Sequence, residues 1–456
     1  MKAPVEKNKE YEFYIEGMGF QGEGVGKVEG FTVFVPGAIK GEKVRAKILK
    51  VDKRFAFGKL IEIIEKSEFR VKPKCDIYEK CGGCQIQHMS YPMQLQFKKQ
   101  RVIDAVERIG KLNDVVIHDT LGMGNPFRYR NKVQLPVRDN HGKVKIGFYS
   151  KGSHNVVDTK SCCIQSEKAD KIVEIFRTWM EKYNVSAYNE ETGTGDIRHI
   201  MIREGFKTGD VMVVIVTNVD KILFKEELVD KFKHDIKGIV SIIQNINNEK
   251  TNVILGNKNI TLWGKPYIED YIGEFKFKIS PNSFFQVNPV QTEVLYSKAL
   301  EYANLKGSEN VFDAYCGTGT ISLFLSKKAK KVTGVEIVEA AIKDAKENAK
   351  ANGINNAEFI VGEAEKVIPE LIKDGNYADV VVVDPPRKGC GQELLNSIGM
   401  MKPARIVYVS CDPGTLARDI GILAEKGYKV EEIQPVDMFP GTSHVETVVL
   451  MSRVEK

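Results

Sequence analysis

An α/β protein in three parts is the fold this chain predicts: an amino-terminal small OB-like β-barrel, a central α/β region, and a carboxyl-terminal doubly wound, Rossmann-like sheet. Three observations predict it. The chain has 456 residues, too many for one ordinary core. Between Tyr11 and Ile64, short alternating apolar runs are punctuated by Gly and Pro-Gly turns, the pattern of about three to five barrel strands. From Asn310 onward, apolar strand-like runs alternate with helical periodicity, which folds as a mostly parallel sheet with helices on both faces. The expected boundaries are 1–66, 67–279 and 280–456.

Composition restricts the class. With 42% hydrophobic and 28% charged residues the chain is an ordinary globular protein. The amino terminus MKAPVEKNKE is polar, and no apolar run approaches the roughly 20 residues of a membrane span, so a cytoplasmic protein is expected. Net charge is +6 but uneven: Lys40 to Lys74 holds twelve Lys or Arg against five Asp or Glu. A basic stripe of this kind suits a nucleic acid, and equally suits the solvated edge of a β domain. Phe55 and Phe57 interrupt the stripe, as residues that stack on single-stranded bases would. At least one of them is expected in the barrel core.

Eight cysteines without a secretory signal argue against a disulfide scaffold. Cys75, Cys81 and Cys84 form a cluster that packing alone does not explain, and a zinc or iron-sulfur site needs a fourth donor, Cys162 or Cys163. Beyond the cluster, MQLQFKKQRVIDAVERIGKL has helical periodicity, Phe127 to Val219 reads mostly as strands, and 221–234 reads as a helix.

The carboxyl-terminal third carries the chemistry. A strand runs into Asp313, then into a Gly317-Thr318-Gly319 turn and a helix, and the next strand ends in Glu336. A tight glycine turn between strand and helix, with an acid at the second strand end to meet a ribose diol, points to an adenosine-containing ligand. ADVVVVDPPRKG is a fully buried strand ending in Asp384 and Arg387, and RIVYVSCDP is another, ending in Cys411. Two further strands around Lys429–Gln434 and Glu446–Met451 are joined by DMFPGTSHVE. The strand ends Asp313, Glu336, Asp384 and Cys411 are expected to gather at one site.

SFFQVN, DAYCGTGTISL, DPPRKG, VSCDPGTLARD and MFPGTSHVETV together resemble the S-adenosylmethionine-dependent RNA (uracil-5-)-methyltransferases, over essentially the whole chain. The barrel is similar to the TRAM domain of many members. The cysteines are similar to the four-iron, four-sulfur site of the branch that modifies 23S rRNA. The resemblance implies S-adenosylmethionine contacts from Gln286, Tyr315, Glu336 and Asp384, with Thr320 and Glu363 also lining the pocket. It implies Cys411 as nucleophile, Glu446 as base, and Cys75, Cys81, Cys84 and Cys162 as [4Fe-4S] ligands, the context VDTKSCCIQ pointing to Cys162. The implied reaction is methylation of C5 of a 23S rRNA uridine through a Cys411 adduct at C6. Cys411 is expected to have a lowered pKa at its polar strand end. Arg387 could meet a phosphate, and His444 is expected to be structural. The rival readings are the same reaction on a tRNA T-loop uridine, a non-catalytic RNA-binding iron-sulfur protein, and methylation of an amide or exocyclic nitrogen.

Overall fold

The computed structural model describes residues 3–140 and 142–454. Met1, Lys2, His141, Glu455 and Lys456 lie outside the described residues. Five strands, Glu10–Met18, Gly24–Val28, Phe31–Val35, Lys43–Val51 and Phe55–Glu65, close into a barrel in the order first, second, third, fifth, fourth. Alternation drives closure: Phe13, Ile15, Val33, Val35, Val44, Ala46, Ile48 and Ala56 all turn inward. Gly26 is required where strands cross, because a Cβ there would lie 2.4 Å from the Tyr14 carbonyl. The core position between Phe55 and Phe57 is filled by Ala56, so both phenylalanines are half-exposed and cluster with Phe34 at 5.5–5.7 Å on the outer face. Period two puts both on the same side, which corrects the expectation that one would be core.

The central part is a seven-stranded sheet in the order Lys258–Gly264, Ile239–Ile246, Val211–Thr217, Ile197–Glu204, Lys132–Asn140, Lys143–Tyr149, Val156–Asp158. Helices Glu167–Tyr183 and Lys225–Asp235 cover one face. The first of these interrupts a region read as strands. Its signal was present in Ser166, whose hydroxyl caps the Ala169 N–H at 3.2 Å, and in the spacing of Ile172, Val173, Phe176, Trp179 and Met180 along one stripe.

The third part is an eight-stranded sheet in the order Ala357–Val361, Lys331–Glu336, Asn310–Ala314, Val380–Val383, Arg405–Ser410, Glu446–Arg453, Tyr428–Val436, Val116–Ile117. Its central strand Val380–Val383 is apolar at every position because both faces are covered. Val380, Val382, Val407 and Val409 enter one core, under helices Pro289–Ala303, Thr320–Ser326 and Glu339–Ala351. Val381, Val383, Ile406 and Tyr408 enter the other, under Tyr91–Arg108, Ala364–Lys373, Gln392–Met401 and Pro413–Glu425. The edge strand Val116–Ile117 and helix Tyr91–Arg108 therefore come from the central stretch of sequence and complete the last sheet. Among the described residues no helix is long and apolar enough to cross a membrane.

Register decides what meets at the sheet's carboxyl edge. The first five strands of the order run parallel, with Ala314 beside Val383 and Val383 beside Tyr408, so Tyr315, Asp384 and Cys411 emerge together. Glu446–Arg453 runs antiparallel and pairs Thr447 with Ser410, which brings Glu446 alongside Cys411. The loop 437–445 leading to Glu446 is held residue by residue from elsewhere. Asn288 donates to Met438 O (2.9 Å), Tyr129 to Pro440 O (3.0 Å), and Arg101 to Ser443 O. Gly441 N–H donates to Gln94 (2.9 Å). At the loop's base Lys98 pairs with Asp437, both side chains 0% exposed, and donates to Phe439 O at 3.0 Å, while Tyr91 donates to Asp437 at 2.9 Å.

Removing one partner of a fully buried pair strands the other charge. Lys98→Met is expected to destabilise the chain by about 3–5 kcal/mol, and Lys98→Met with Asp437→Leu to recover most of the loss. Denaturant midpoints of the three proteins check it; equal losses in the single and double variants would contradict it.

Candidate active site

A cavity of about 1420 Å³ opens along the carboxyl edge of the eight-stranded sheet. Single small-ligand pockets are roughly 300–1,000 Å³, so this one has room for two molecules. One end is built on the turn after Asn310–Ala314. Tyr315, Gly317 and Gly319 all have left-handed φ, of 66°, 54° and 79°. For tyrosine this conformation is strained by about 1–3 kcal/mol, and it is held by the phenol donating to Glu365 at 2.6 Å. Glu336 lies over the turn, its carboxylate accepting from Gly317 N–H (3.3 Å) and Val338 N–H (2.9 Å). Beside it Ile337 and Val338 are 59% and 53% exposed, an open apolar surface for a flat ring.

Gln286 reaches the same cavity from the segment before helix Pro289–Ala303. The central sheet fixes that segment: Asn131 donates to the main-chain oxygens of Gln286 (3.0 Å) and Val287 (2.8 Å), and Arg203 to those of Pro281 (3.2 Å) and Ser283 (2.5 Å). Phe284, 68% exposed, stands on the wall they hold in place. Thr320 and Glu363 also line the cavity.

At the other end are Cys411, Glu446, Asp384, Arg387, His444 and Phe439. Burial pushes the Glu446 carboxyl up to about 8, helped by Asp384 and opposed by Arg387. Burial likewise pushes Asp384 up to about 7, with Asp313 adding to it. Cys411 is pushed up to about 12 by burial and by the Glu446 and Asp384 carboxylates, with Arg387 opposing. This corrects the expected lowered thiol: burial of the sulfur disfavours a thiolate, and the strand end presents carboxylates that disfavour it further. His444 faces the cavity with its pKa lowered to about 4 by burial and by Arg387, Arg101 and Lys98, so a neutral imidazole stands where a structural loop residue was expected.

Of the four strand-end residues expected to gather, three do. Asp313 is fully buried beneath the site, accepting from the Ser322 hydroxyl at 2.5 Å, and does not line the cavity. Sequence reasoning missed Ile337, Val338, Phe284 and Glu365. The signal for the first two was an apolar pair placed after a strand already ended by Glu336.

The cysteines lie apart from the cavity. Cys84 and Cys162 are buried in one small cluster with Tyr78 and Tyr129, against which Cys75 and Cys163 pack, and Gln87 Nε2 donates to the Cys163 sulfur at 3.5 Å. Cys81 is within electrostatic reach of Cys84 and Cys162. The donor set is of the right kind for a soft metal, thiols from two distant segments with no carboxylate among them. Among the described residues, however, no three His, Cys, Asp or Glu side chains stand together in an arrangement that holds a metal ion.

Comparison with known proteins bears on this site. Residues 218–454 match the family described as tRNA (uracil-5-)-methyltransferase, and residues 4–61 match the TRAM domain. A protein of Clostridium tetani named as an uncharacterized RNA methyltransferase is 62% identical over 449 residues, 98% of this chain and 97% of its own length. Its counterpart in Clostridium acetobutylicum is 60% identical over 455 residues, 99% of each. Among solved structures, the tRNA (uracil-54, C5)-methyltransferase of Pyrococcus abyssi, in complex with S-adenosyl-L-homocysteine, superposes with a TM-score of 0.78 at 30% identity, covering 96% of this chain and 99% of that one. The strand-end cavity, the glycine turn and the amino-terminal barrel thus sit in a chain that belongs to the RNA uracil-5-methyltransferase family, an S-adenosylmethionine-dependent RNA methyltransferase with a TRAM domain.

Proposed function

We propose that the chain methylates C5 of a uridine in 23S rRNA, with Cys411 as covalent nucleophile and Glu446 as base. The observation that carries the reading is the pairing of Thr447 with Ser410, which sets a thiol and a carboxyl side by side on the wall of a two-ligand cavity. S-adenosylmethionine, when bound, supplies an electrophilic methyl group. Gln286, Tyr315, Glu336 and Asp384 would hold it, with Glu336 suited to the ribose hydroxyls and the Ile337-Val338 surface to the adenine. The division into parts 1–66, 67–279 and 280–456 belongs to the same reading, the first two gripping RNA around a uridine flipped into the cavity.

C5 of uracil is a weak nucleophile, and a thiolate added at C6 remedies this. As the Cys411 sulfur bonds to C6, the C5–C6 π pair moves onto C5, C4 and O4. C5 then bonds to the methyl carbon, whose old bond leaves its electron pair on the departing sulfur. Glu446 takes the C5 proton, the C–H pair restores C5=C6, and the C6–S pair returns to Cys411. The thiol proton passes first to the Asp384 carboxylate, so that Glu446 stays ionised to take the C5 proton.

A second reading, the same reaction on tRNA, is favoured by one observation. The Pyrococcus abyssi enzyme is by name a tRNA methyltransferase and overlays 96% of this chain, so the barrel by itself does not select rRNA. Mapping 5-methyluridine in a strain lacking the chain tests both. Loss from 23S rRNA alone is expected, and loss from tRNA alone would transfer the reading. Restoring the strain with Cys411→Ala is expected to give no methylation while S-adenosylmethionine binding is retained. Glu446→Gln should accumulate an enzyme–RNA adduct that survives denaturant, and its absence would remove Glu446 from the proposed role.

The raised carboxyls make a pH prediction. A base with a pKa of about 8 is mostly protonated at pH 6 and mostly ionised at pH 9, so single-turnover product formation should rise across that range. Stability runs the other way. These groups titrate higher folded than unfolded, so their contribution is full below about pH 4 and is lost as pH rises through 7 to 8. A flat rate profile would contradict the assignment of Glu446.

We further propose that Cys75, Cys81, Cys84 and Cys162 hold a four-iron, four-sulfur cluster, supported by Cys84 and Cys162, from two distant segments, being buried in one small cluster with Cys75 packed against it. Anaerobically purified protein is expected to be brown and to contain about four iron and four sulfide per chain. Colourless protein carrying zinc would replace the cluster with a zinc site, and protein without metal would remove it.

A further inference from the structure

The turn after Asp384 is tied to the helix after Cys411 at three points. Thr415 Oγ1 donates to Arg387 O at 3.1 Å, Arg418 Nη2 donates to Lys388 O at 2.9 Å, and Cys390 N–H donates to Asp419 Oδ2 at 2.8 Å. Asp419 is the centre of the arrangement. Its side chain is 0% exposed, and it also accepts from the Tyr408 hydroxyl at 2.6 Å and from Arg418 Nε at 2.7 Å. Between the ties, Gly389 has φ +79°, and a Cβ there would lie 2.4 Å from Arg418 Nη2 and 2.5 Å from Asp419 Oδ2. The turn is therefore pressed against the helix with no room for a side chain. That helix begins at Pro413, its first N–H groups capped by Asp412 at 2.9 and 3.0 Å, two residues after Cys411. Cys411 and the turn carrying Arg387 are thus parts of one rigid block.

Arg387 is exposed on the cavity wall, and no protein hydrogen bond holds its guanidinium among those found for the described residues. Its place depends on its backbone alone. We propose that Asp419 is a positioning residue: with Thr415 and Arg418 it locks the 386–391 turn so that the Arg387 guanidinium faces the Cys411 sulfur. The charges that meet that sulfur come from every side. Glu446 from the antiparallel strand, Asp384 from the preceding strand end and Asp412 from the helix cap all disfavour a thiolate, His444 on the facing loop is neutral, and Arg387 is the cation that opposes them. The inference rests on the reading of Cys411 as the attacking thiol.

Its test uses the full chain with neither RNA nor methyl donor, so it fails independently of the methylation assays. Iodoacetamide labelling of Cys411 is followed by peptide mass spectrometry between pH 7 and pH 10. Arg387→Gln and Asp419→Asn are each expected to slow labelling at pH 8.5 by about tenfold, the effect of one pKa unit, and the double variant to be no slower than Arg387→Gln alone. Wild-type labelling in a folded Asp419→Asn, or losses that multiply in the double variant, would overturn the proposal. Should Asp419→Asn fail to fold, Thr415→Val removes the tie to Arg387 O together with the longer 3.4 Å contact to Asp412 O, and leaves Asp419 and Arg418 in place. Slower labelling in that variant supports the proposal, and unchanged labelling overturns it.

Discussion

Lys98 and Asp437 meet across 339 positions of sequence in complete burial, and the candidate catalytic loop is strung from that contact. Two charges removed from water cost several kcal/mol each, so a pair of this kind persists only where its geometry is complete. Here it is: the ammonium also reaches Phe439 O, the carboxylate also accepts from Tyr91, and Gln291 holds the Asp437 carbonyl at 3.1 Å. Burial pushes the Lys98 pKa down while Asp437 opposes it, so the ion pair and the folded loop require each other. From this anchor the chain runs through Phe439 and His444 on the cavity wall to Glu446. A carboxyl held beside a strand end by register alone would be free to slide, and the anchored loop removes that freedom.

The site concentrates groups that resist ionisation. Burial is the chief reason that Asp384, Glu446 and Cys411 all have raised pKa values; Asp384 further raises Glu446 and Cys411, and Glu446 further raises Cys411. Ionising Asp384 makes Glu446 and Cys411 harder to ionise, so the three act as a coupled set. On the proposed reaction this has a use, since a thiol that stays protonated until a uracil arrives resists oxidation and stray alkylation. The same coupling gives Arg387 its weight: it is the cation recorded against both Cys411 and Glu446.

Much of the fold was legible in the sequence because it depends on local period. The barrel, the glycine turn, the apolar strands VVVV and IVYV and the order of strand ends follow from alternation, breakers and buried runs. Gln286, Tyr315, Glu336, Asp384, Cys411 and Glu446 all line one cavity, as the motifs grouped them. One failure was set by partners far away in sequence. The pKa of Cys411 depends on Glu446, 35 residues later, and Asp384, 27 residues earlier, both brought in by sheet register. Asp313 was expected in the cavity because it ends a strand like the others. Its carboxyl instead turns back to Ser322 in the helix that follows, a choice that a local hydrogen bond makes and a pattern of strands does not reveal. Helix Glu167–Tyr183 was missed although its cap and stripe were there, because strand-like runs on both sides dominated the window.

The cysteine segment and the candidate catalytic loop share a wall, and this gives the thiols a structural meaning of their own. Gln85 N–H and Ile86 N–H both donate to Gly441 O, at 3.1 and 3.0 Å, immediately after Cys84. Gly441 has φ +79°, and a Cβ on it would lie 3.2 Å from Gln87 and 3.7 Å from the Cys84 sulfur. Tyr129, buried with Cys84 and Cys162, donates to Pro440 O. The backbone at 439–441 is therefore shaped on one side by the thiol cluster and on the other by Lys98, at Phe439 O, and Gln94, at Gly441 N–H, of helix Tyr91–Arg108. A loop clamped between two such faces has little freedom of its own. Gln85 and Ile86 thus tie the chain directly after Cys84 to the loop that ends at Glu446.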